Sequence, residues 1–429
     1  MRPLLRFGTL GVCALVLTAC AVRWALQGDQ TRRIEAFLAT FALAAAAYAG
    51  ALIVTRERLP ARVLWVLLAL AAVWRVGLVG AAPMVSDDMF RYVWEGRIQL
   101  HGGNPYAWTD RPEAKKWRGL HDPIWTNVGH KSYTAVYPPL WQLASRAVVA
   151  LHDSLAAMKL FVVLCELALW AVLLRLLARR GLPRERILIA AWSPLALVEF
   201  AGSGHNDVFA MLWAALALLA LDSGRPLLSA CAAALGAQAK LLPGLLAVPW
   251  LRRYRAAHVI AAAVLAAALC VPYLGAGRGL GRSLSEYAQY WHFNDSGFAL
   301  LALVLPHNVA VAAASLLALA WALALAWRSK EPATAALLVS AAYLLLAPNV
   351  LPWYALWLLP WLVLRDAPAA WLYTLTAPLA YLVYPGWLAG GPWKIGWGVR
   401  AFEYGPCLLV AVAPLIARVW RRGPAEARS

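Results

Sequence analysis

Charge is scarce in this chain. Of 429 residues only 14% are Asp, Glu, Lys or Arg, and the acids number just 21. A soluble domain carries about 25% charged residues, so a water-soluble multidomain enzyme is excluded. Cysteine is sparse as well. Cys13, Cys20, Cys165, Cys231, Cys270 and Cys407 stand apart, in or beside apolar windows, with no Cys-x-x-Cys or Cys/His spacing. That pattern indicates neither a disulfide framework nor a zinc site, and it suits small buried hydrophobes. No internal repeat is visible, so symmetry lends nothing to an inverted-repeat transporter.

What is present instead is apolar length. Hydrophobic residues make up 62% of the chain and mean hydropathy is +0.63. Apolar windows run from 8–26, 36–54 and 63–82 through to 368–384 and 405–420. At about 20 residues per span these predict an all-α, polytopic transmembrane bundle of about 12–14 spans, treated as one domain over 1–429. Pro306-His307-Asn308 should break the window 298–327, because proline removes a helical donor. Leu17-Thr18-Ala19-Cys20 looks like a bacterial lipobox, a processing signal in principle. An ordinary first span is the preferred reading, given the many spans that follow.

The net charge of +18 sits in short arginine clusters between the windows, such as Arg179-Arg180, Arg252-Arg253 and Arg421-Arg422. Clusters so placed orient spans and do not make a nucleic-acid arm. With a cytoplasmic N-terminus the inward loops hold 20 Lys and Arg, against 7 in the short outward loops. The expected site is therefore the cytoplasmic (inner) membrane, crossed many times, provided that 226–250 crosses twice. The segment 83–136, rich in Pro, Gly, Trp and charge, then falls outside, followed by an interfacial helix near 139–151. Together 83–151 form a large extracytoplasmic loop. Loops this long are usually functional or disordered, and the density of Trp and Tyr in this one argues for order.

The sharpest local pattern begins at Ser86-Asp87-Asp88 and ends at Gly102-Gly103-Asn104-Pro105-Tyr106. A helix starting near Ser86 puts Asp88, Arg91, Tyr92 and Glu95 on one face. Paired carboxylates at a membrane face suit a general base. The bland alternative is equally open from spacing alone: acids at a helix start favoured by the dipole, and Arg91 with Glu95 as a surface pair.

Four strings in order, SDDMFRYVWEGRIQLHGGNPY, YPPLW at 137–141, GHND at 204–207 and PNVLPWY at 348–354, resemble the GT-C glycosyltransferases. They look most like the bacterial polyprenyl-phosphomannose-dependent α-mannosyltransferases. The resemblance covers most of residues 60–365. It implies transfer of a hexose, expected to be mannose, from a polyprenyl-phosphate donor to an acceptor hydroxyl on the outer face, with inversion. It also implies a general base at Asp88, with Asp87 second because the doubled acid leaves the register open.

Further polar residues collect on the same face: His205, Asn206, Asp207, His292, Asn294, Trp353, Tyr354 and Arg400, with Tyr137 and Lys240. Polar groups gathered at one face of an apolar bundle are expected where substrate binds. Lys240, His205, His292, Arg91 and Arg400 are candidates for donor phosphate or sugar contacts, and each has a structural alternative in snorkelling or local pairing. Trp353 could stack on a sugar ring. Asp87 and Asp88 could hold Mg or Mn, although none is expected to be required. Arg75 reads as snorkelling, whereas Glu166 and Glu199 should face the bundle interior. The expected partners are a lipid-linked sugar donor, a glycan or glycolipid acceptor and membrane lipids. A transporter or flippase of lipid-linked sugars is the alternative reading. It requires polar groups near mid-bilayer on several spans.

Overall fold

A computed structural model of the chain describes residues 3–422. Among these residues the fold is all-α, and the sole β feature is an isolated bridge between Phe293 and Asn349. The helices that frame the site are α1 (Pro3–Gln27), α2 (Ile34–Val54), α3 (Ala61–Leu78), α4 (Asp88–Leu100), α5 (Pro139–Leu151), α6 (Leu155–Arg179), α7 (Asp207–Asp222), α8 (Pro226–Ala239), α9 (Ala256–Cys270), α10 (His307–Arg328) and α11 (Pro332–Leu346). Cys20 lies inside α1 and is buried against α2, its thiol 3.7 Å from the Thr40 carbonyl.

Among the described residues six helices are long and apolar enough to cross a membrane. A seventh arises if Pro194–Gly202 and Asp207–Asp222, bent by 116°, are one broken span. Three shorter apolar helices accompany them: Pro226–Ala239, Pro332–Leu346 and Pro352–Leu364. The chain is thus a multi-pass membrane protein. The windows outnumber these helices for a local reason. Pro249, Pro360 and Pro378 fall inside apolar runs, which divide into short α and 3-10 pieces, as a missing N–H and a ring clash require. The break at Pro306 is also present, between Gly297–Val304 and α10.

Polar groups separate to two ends. At one end Arg180 pairs with Asp222 at 2.7 Å and with Glu331, and Arg186 meets Asp366 at 2.8 Å. At the other lie Asp88, Asp207 and Lys240. Helix α7 joins the ends, its 16 residues spanning roughly 24 Å at 1.5 Å each. Helix α8 returns from Pro226 to Lys240, whose ammonium bonds Asp207 at 2.6 Å. The chain then descends to Arg253, which donates to the Lys330 carbonyl at 2.8 Å. Segment 226–250 therefore runs from one polar end to the other and back. Alanines crowd the buried faces of α7 and α8, and small residues permit the close approach on which packing in lipid depends.

Arg75 does not snorkel. It lies fully buried, 2.7 Å from the Glu166 carboxylate and 4.6 Å over the Trp170 ring, so its charge is neutralised inside the bundle. Removing one partner of such a pair strands the other charge. Arg75→Met is expected to cost about 3–5 kcal/mol, and Arg75→Met with Glu166→Leu should recover most of it. Thermal unfolding of the three purified proteins in one detergent reads this, and equal losses in the single and double variants would contradict it.

Candidate active site

Helix α4 begins at Asp88, and its first turn is shaped by Ser86, whose hydroxyl accepts from the Asp88 amide at 3.3 Å. The segment ahead of it is fastened by three distant parts of the chain. The Gln30 amide donates to the Met84 carbonyl at 2.8 Å, the Val85 amide to the Ser203 hydroxyl at 3.3 Å, and the Tyr384 hydroxyl to the Val85 carbonyl at 2.7 Å. On its far side α4 lies against α5. A Cβ on Gly96 would stand 2.6 Å from a Val149 methyl, so glycine sets that spacing.

Arg91 and Glu95 are not a surface pair. Both are buried, 3.3 Å apart, and the Arg91 guanidinium also donates to the Gly129 and His130 carbonyls at 2.7 and 2.6 Å. Arg91 thereby holds the turn containing His130, whose φ is +50°, beside the two aspartates. Gln142 of α5 donates to Glu95 at 2.6 Å.

Asp88 is the hub. Its Oδ2 accepts from the Tyr137 hydroxyl at 3.1 Å and lies 3.6 Å from His205 Nδ1. His205 Nε2 is 3.3 Å from Glu199, which accepts from the Tyr381 hydroxyl at 2.7 Å. Neither imidazole nitrogen is aligned for a hydrogen bond, so the two carboxylates act on the ring through charge. The ring stacks on Trp353 with centroids 3.8 Å apart. This placement needs an abrupt turn. A π-helical stretch over Leu197–Gly202 gives way to Gly204 at φ +81°, a conformation natural to glycine. Non-helical backbone at such depth is tolerated where it faces protein or a cavity.

The two aspartates are held apart electrically. Burial pushes the Asp88 carboxyl up, but the charge of the facing His205, and then Lys240 and the Tyr137 hydroxyl, outweigh it and carry it below its ordinary value. Burial, then repulsion from Asp88, pushes Asp87 up to about 6, although its side chain opens onto the cavity. Such divergence between neighbours is common at functional sites.

The cavity measures about 1160 Å³, above the roughly 300–1,000 Å³ usual for small-ligand sites. Asp87, Asp88, Arg91, Tyr137, Lys240, His292, Trp353 and Tyr354 share its wall. Tyr92, His205, Asn206 and Asp207 stand buried behind that wall. Those four do not line the cavity, and Tyr92, His205 and Asp207 contact residues that do. Tyr92 lies 3.3 Å from the Tyr137 hydroxyl and 3.4 Å from Asn206, while Asp207 binds Lys240 and accepts from the Trp357 indole at 2.7 Å. Asn294 and Arg400 do not reach the cavity wall. Asn294 donates to Glu403 at 2.8 Å, and Arg400 pairs with Asp295 at 2.9 Å. Burial and the nearby His307 hold His292 below its ordinary value. Among the described residues no group of three or more His, Cys, Asp and Glu is placed to hold a metal ion.

Sequence reasoning passed over Tyr287, Tyr381 and Tyr384, since a tyrosine in an apolar window reads as core. It also passed over Asp29 and Thr31, which the loop between α1 and α2 brings to the cavity.

A family model described as the N-terminal domain of α-(1→6)-mannopyranosyltransferases matches residues 5–257. The chain belongs to that family. It is a GT-C-type mannosyltransferase family, so the chain is a mannosyltransferase, with a sugar donor and a glycan acceptor as its substrates. No curated protein and no solved structure matches it. The match to the mannosyltransferase family takes in Asp88, Tyr137, His205 and Lys240. Trp353, Tyr354, His292 and Tyr384 complete the same cavity from beyond residue 257.

Tyr137 supplies the test of the electrostatic arrangement. Its hydroxyl stabilises the ionised form of Asp88, so Tyr137→Phe should raise the Asp88 carboxyl and weaken a bond of the charge-assisted kind worth about 1.5–3 kcal/mol. The acid limb of the mannosyl-transfer rate should then move to higher pH. A profile that stays in place would remove Tyr137 from this role.

Proposed function

We propose that this mannosyltransferase draws mannose from a polyprenyl-phosphate donor and passes it, with inversion, to a glycan hydroxyl on the extracytoplasmic side of the inner membrane. Asp88 is the general base. The observation that carries the reading is Asp88 itself, kept ionised by His205 and Tyr137 at the wall of a large cavity. The wall changes character along its length. Val311, Ala314, Ser315 and Ala318 of α10 with Leu241 and Leu242 give an apolar stretch, suited to a prenyl chain. The orientation rests on the arginine-rich opposite end, which the positive-inside rule places in the cytoplasm.

In the reaction the acceptor oxygen attacks the anomeric carbon while the bond from that carbon to the phosphate oxygen breaks. The electron pair leaves with the phosphate, and the acceptor proton passes to Asp88. An oxocarbenium-like transition state is expected, as in glycoside chemistry generally. Charge developing on the phosphate needs preorganised donors. Lys240 spends one donor on Asp207 and has its remaining N–H groups for the cavity, and His292 offers a neutral imidazole. No metal is required on this reading.

Asp88→Asn should lower transfer by about 10²–10⁴-fold, the usual worth of a general base, with thermal stability kept. Asp87→Asn should retain most activity at pH 8 and erase an inflection near pH 6 that comes from Asp87 protonating as pH falls. Radiolabelled polyprenyl-phosphate mannose with a mannan acceptor reads both. Full activity in Asp88→Asn, with loss confined to Asp87→Asn, would transfer the role to Asp87.

A further inference from the structure

One stretch of the cavity wall is built differently, from rings and hydroxyl-binding groups. Trp387 and Trp393 meet at 89° with centroids 5.4 Å apart, and Tyr384 stands at 86° to Trp393, 5.3 Å away. Three rings at near right angles make a corner with open faces. Phe293 backs Trp393 at 5.3 Å, which fixes one wall, while Trp387 keeps 48% of its surface exposed. Asp29 and Thr31 line the same cavity. Both halves of this corner are tied to the catalytic segment, through Gln30 to Met84 and Tyr384 to Val85. It therefore has a fixed position relative to Asp87 and Asp88.

An aromatic face beside a carboxylate and a hydroxyl matches one ligand chemistry in particular. A pyranose presents an apolar C–H face and a rim of hydroxyls, the combination a pocket of aromatic walls with a few placed polar groups selects. We infer that Trp387, Trp393 and Tyr384, with Asp29 and Thr31, form the acceptor subsite, where a mannose unit of the acceptor glycan stacks and is steered toward the aspartates. The inference rests on the transferase reading above. It gives the acceptor glycan its own stretch of the cavity wall, distinct in composition from the apolar residues of α10. Tryptophans at a membrane interface also serve as lipid anchors, and the test separates the two roles.

Purified full-length protein is titrated with an α-(1→6)-linked mannooligosaccharide alone, followed by saturation-transfer NMR, and then assayed with lipid-phosphate mannose. Trp387→Ala and Trp393→Ala should each raise the acceptor KM about tenfold, the upper worth of an aromatic contact, leave the donor KM in place and weaken oligosaccharide binding. Trp387→Phe should restore most of the affinity. Alanine variants with unchanged acceptor KM and oligosaccharide binding would overturn the subsite and leave these tryptophans as lipid anchors. Wild type that binds the oligosaccharide, loses it in the alanine variants, and yet takes no mannose from the lipid donor would leave the subsite standing and sink the donor reading.

Discussion

An ionised carboxylate in a largely apolar bundle is the constraint on which the rest of the site depends. Taking a charge out of water is costly unless it is paired or hydrogen-bonded. Asp88 meets that demand with Tyr137 and His205. His205 needs its own neighbours, which are Glu199 and the Trp353 ring. Asp207 and Lys240 neutralise one another a few residues away. Opposite charges thus alternate around the cavity floor, and Asp87 is left as the group that protonates first.

Geometry follows from the same demand. Asp88 is useful only if its carboxylate stays still, and the segment before it is pinned by Gln30, Ser203 and Tyr384. Those residues come from the α1–α2 loop, the broken span and the last third of the chain. The break at Gly202–Gly204 sacrifices regular helix in order to turn His205 inward, and the out-and-back course of α7 and α8 brings Lys240 to Asp207. Irregular backbone is concentrated around the cavity and the proposed base, while the longer helices supply the frame.

Much of the frame was legible in the residues. Apolar windows marked the long helices, and the 139–151 helix stands as expected because Pro138-Pro139 opens it. The aspartate pair was visible as a motif. Its partners were less so, since Tyr137 lies 49 residues from Asp88 and no periodicity joins them. His205 was visible as a polar residue on the same face, but its burial was not. Its stacking on Trp353 and its distance from Glu199 exist only in the folded chain. Tyr384 and Asp29 carried no signal at all, one resembling core and the other an ordinary loop acid.

Stereochemistry tests the central claim most directly. The purified protein is given polyprenyl-phosphate mannose of known anomeric configuration with a mannooligosaccharide, and in parallel a nucleoside-diphosphate mannose. The product linkage is read by the one-bond C1–H1 coupling in NMR. A base at Asp88 acting on a lipid-phosphate donor predicts an α-linked product from the β-linked lipid donor alone. A product formed from the nucleotide sugar, or one that keeps the donor's configuration, would contradict it.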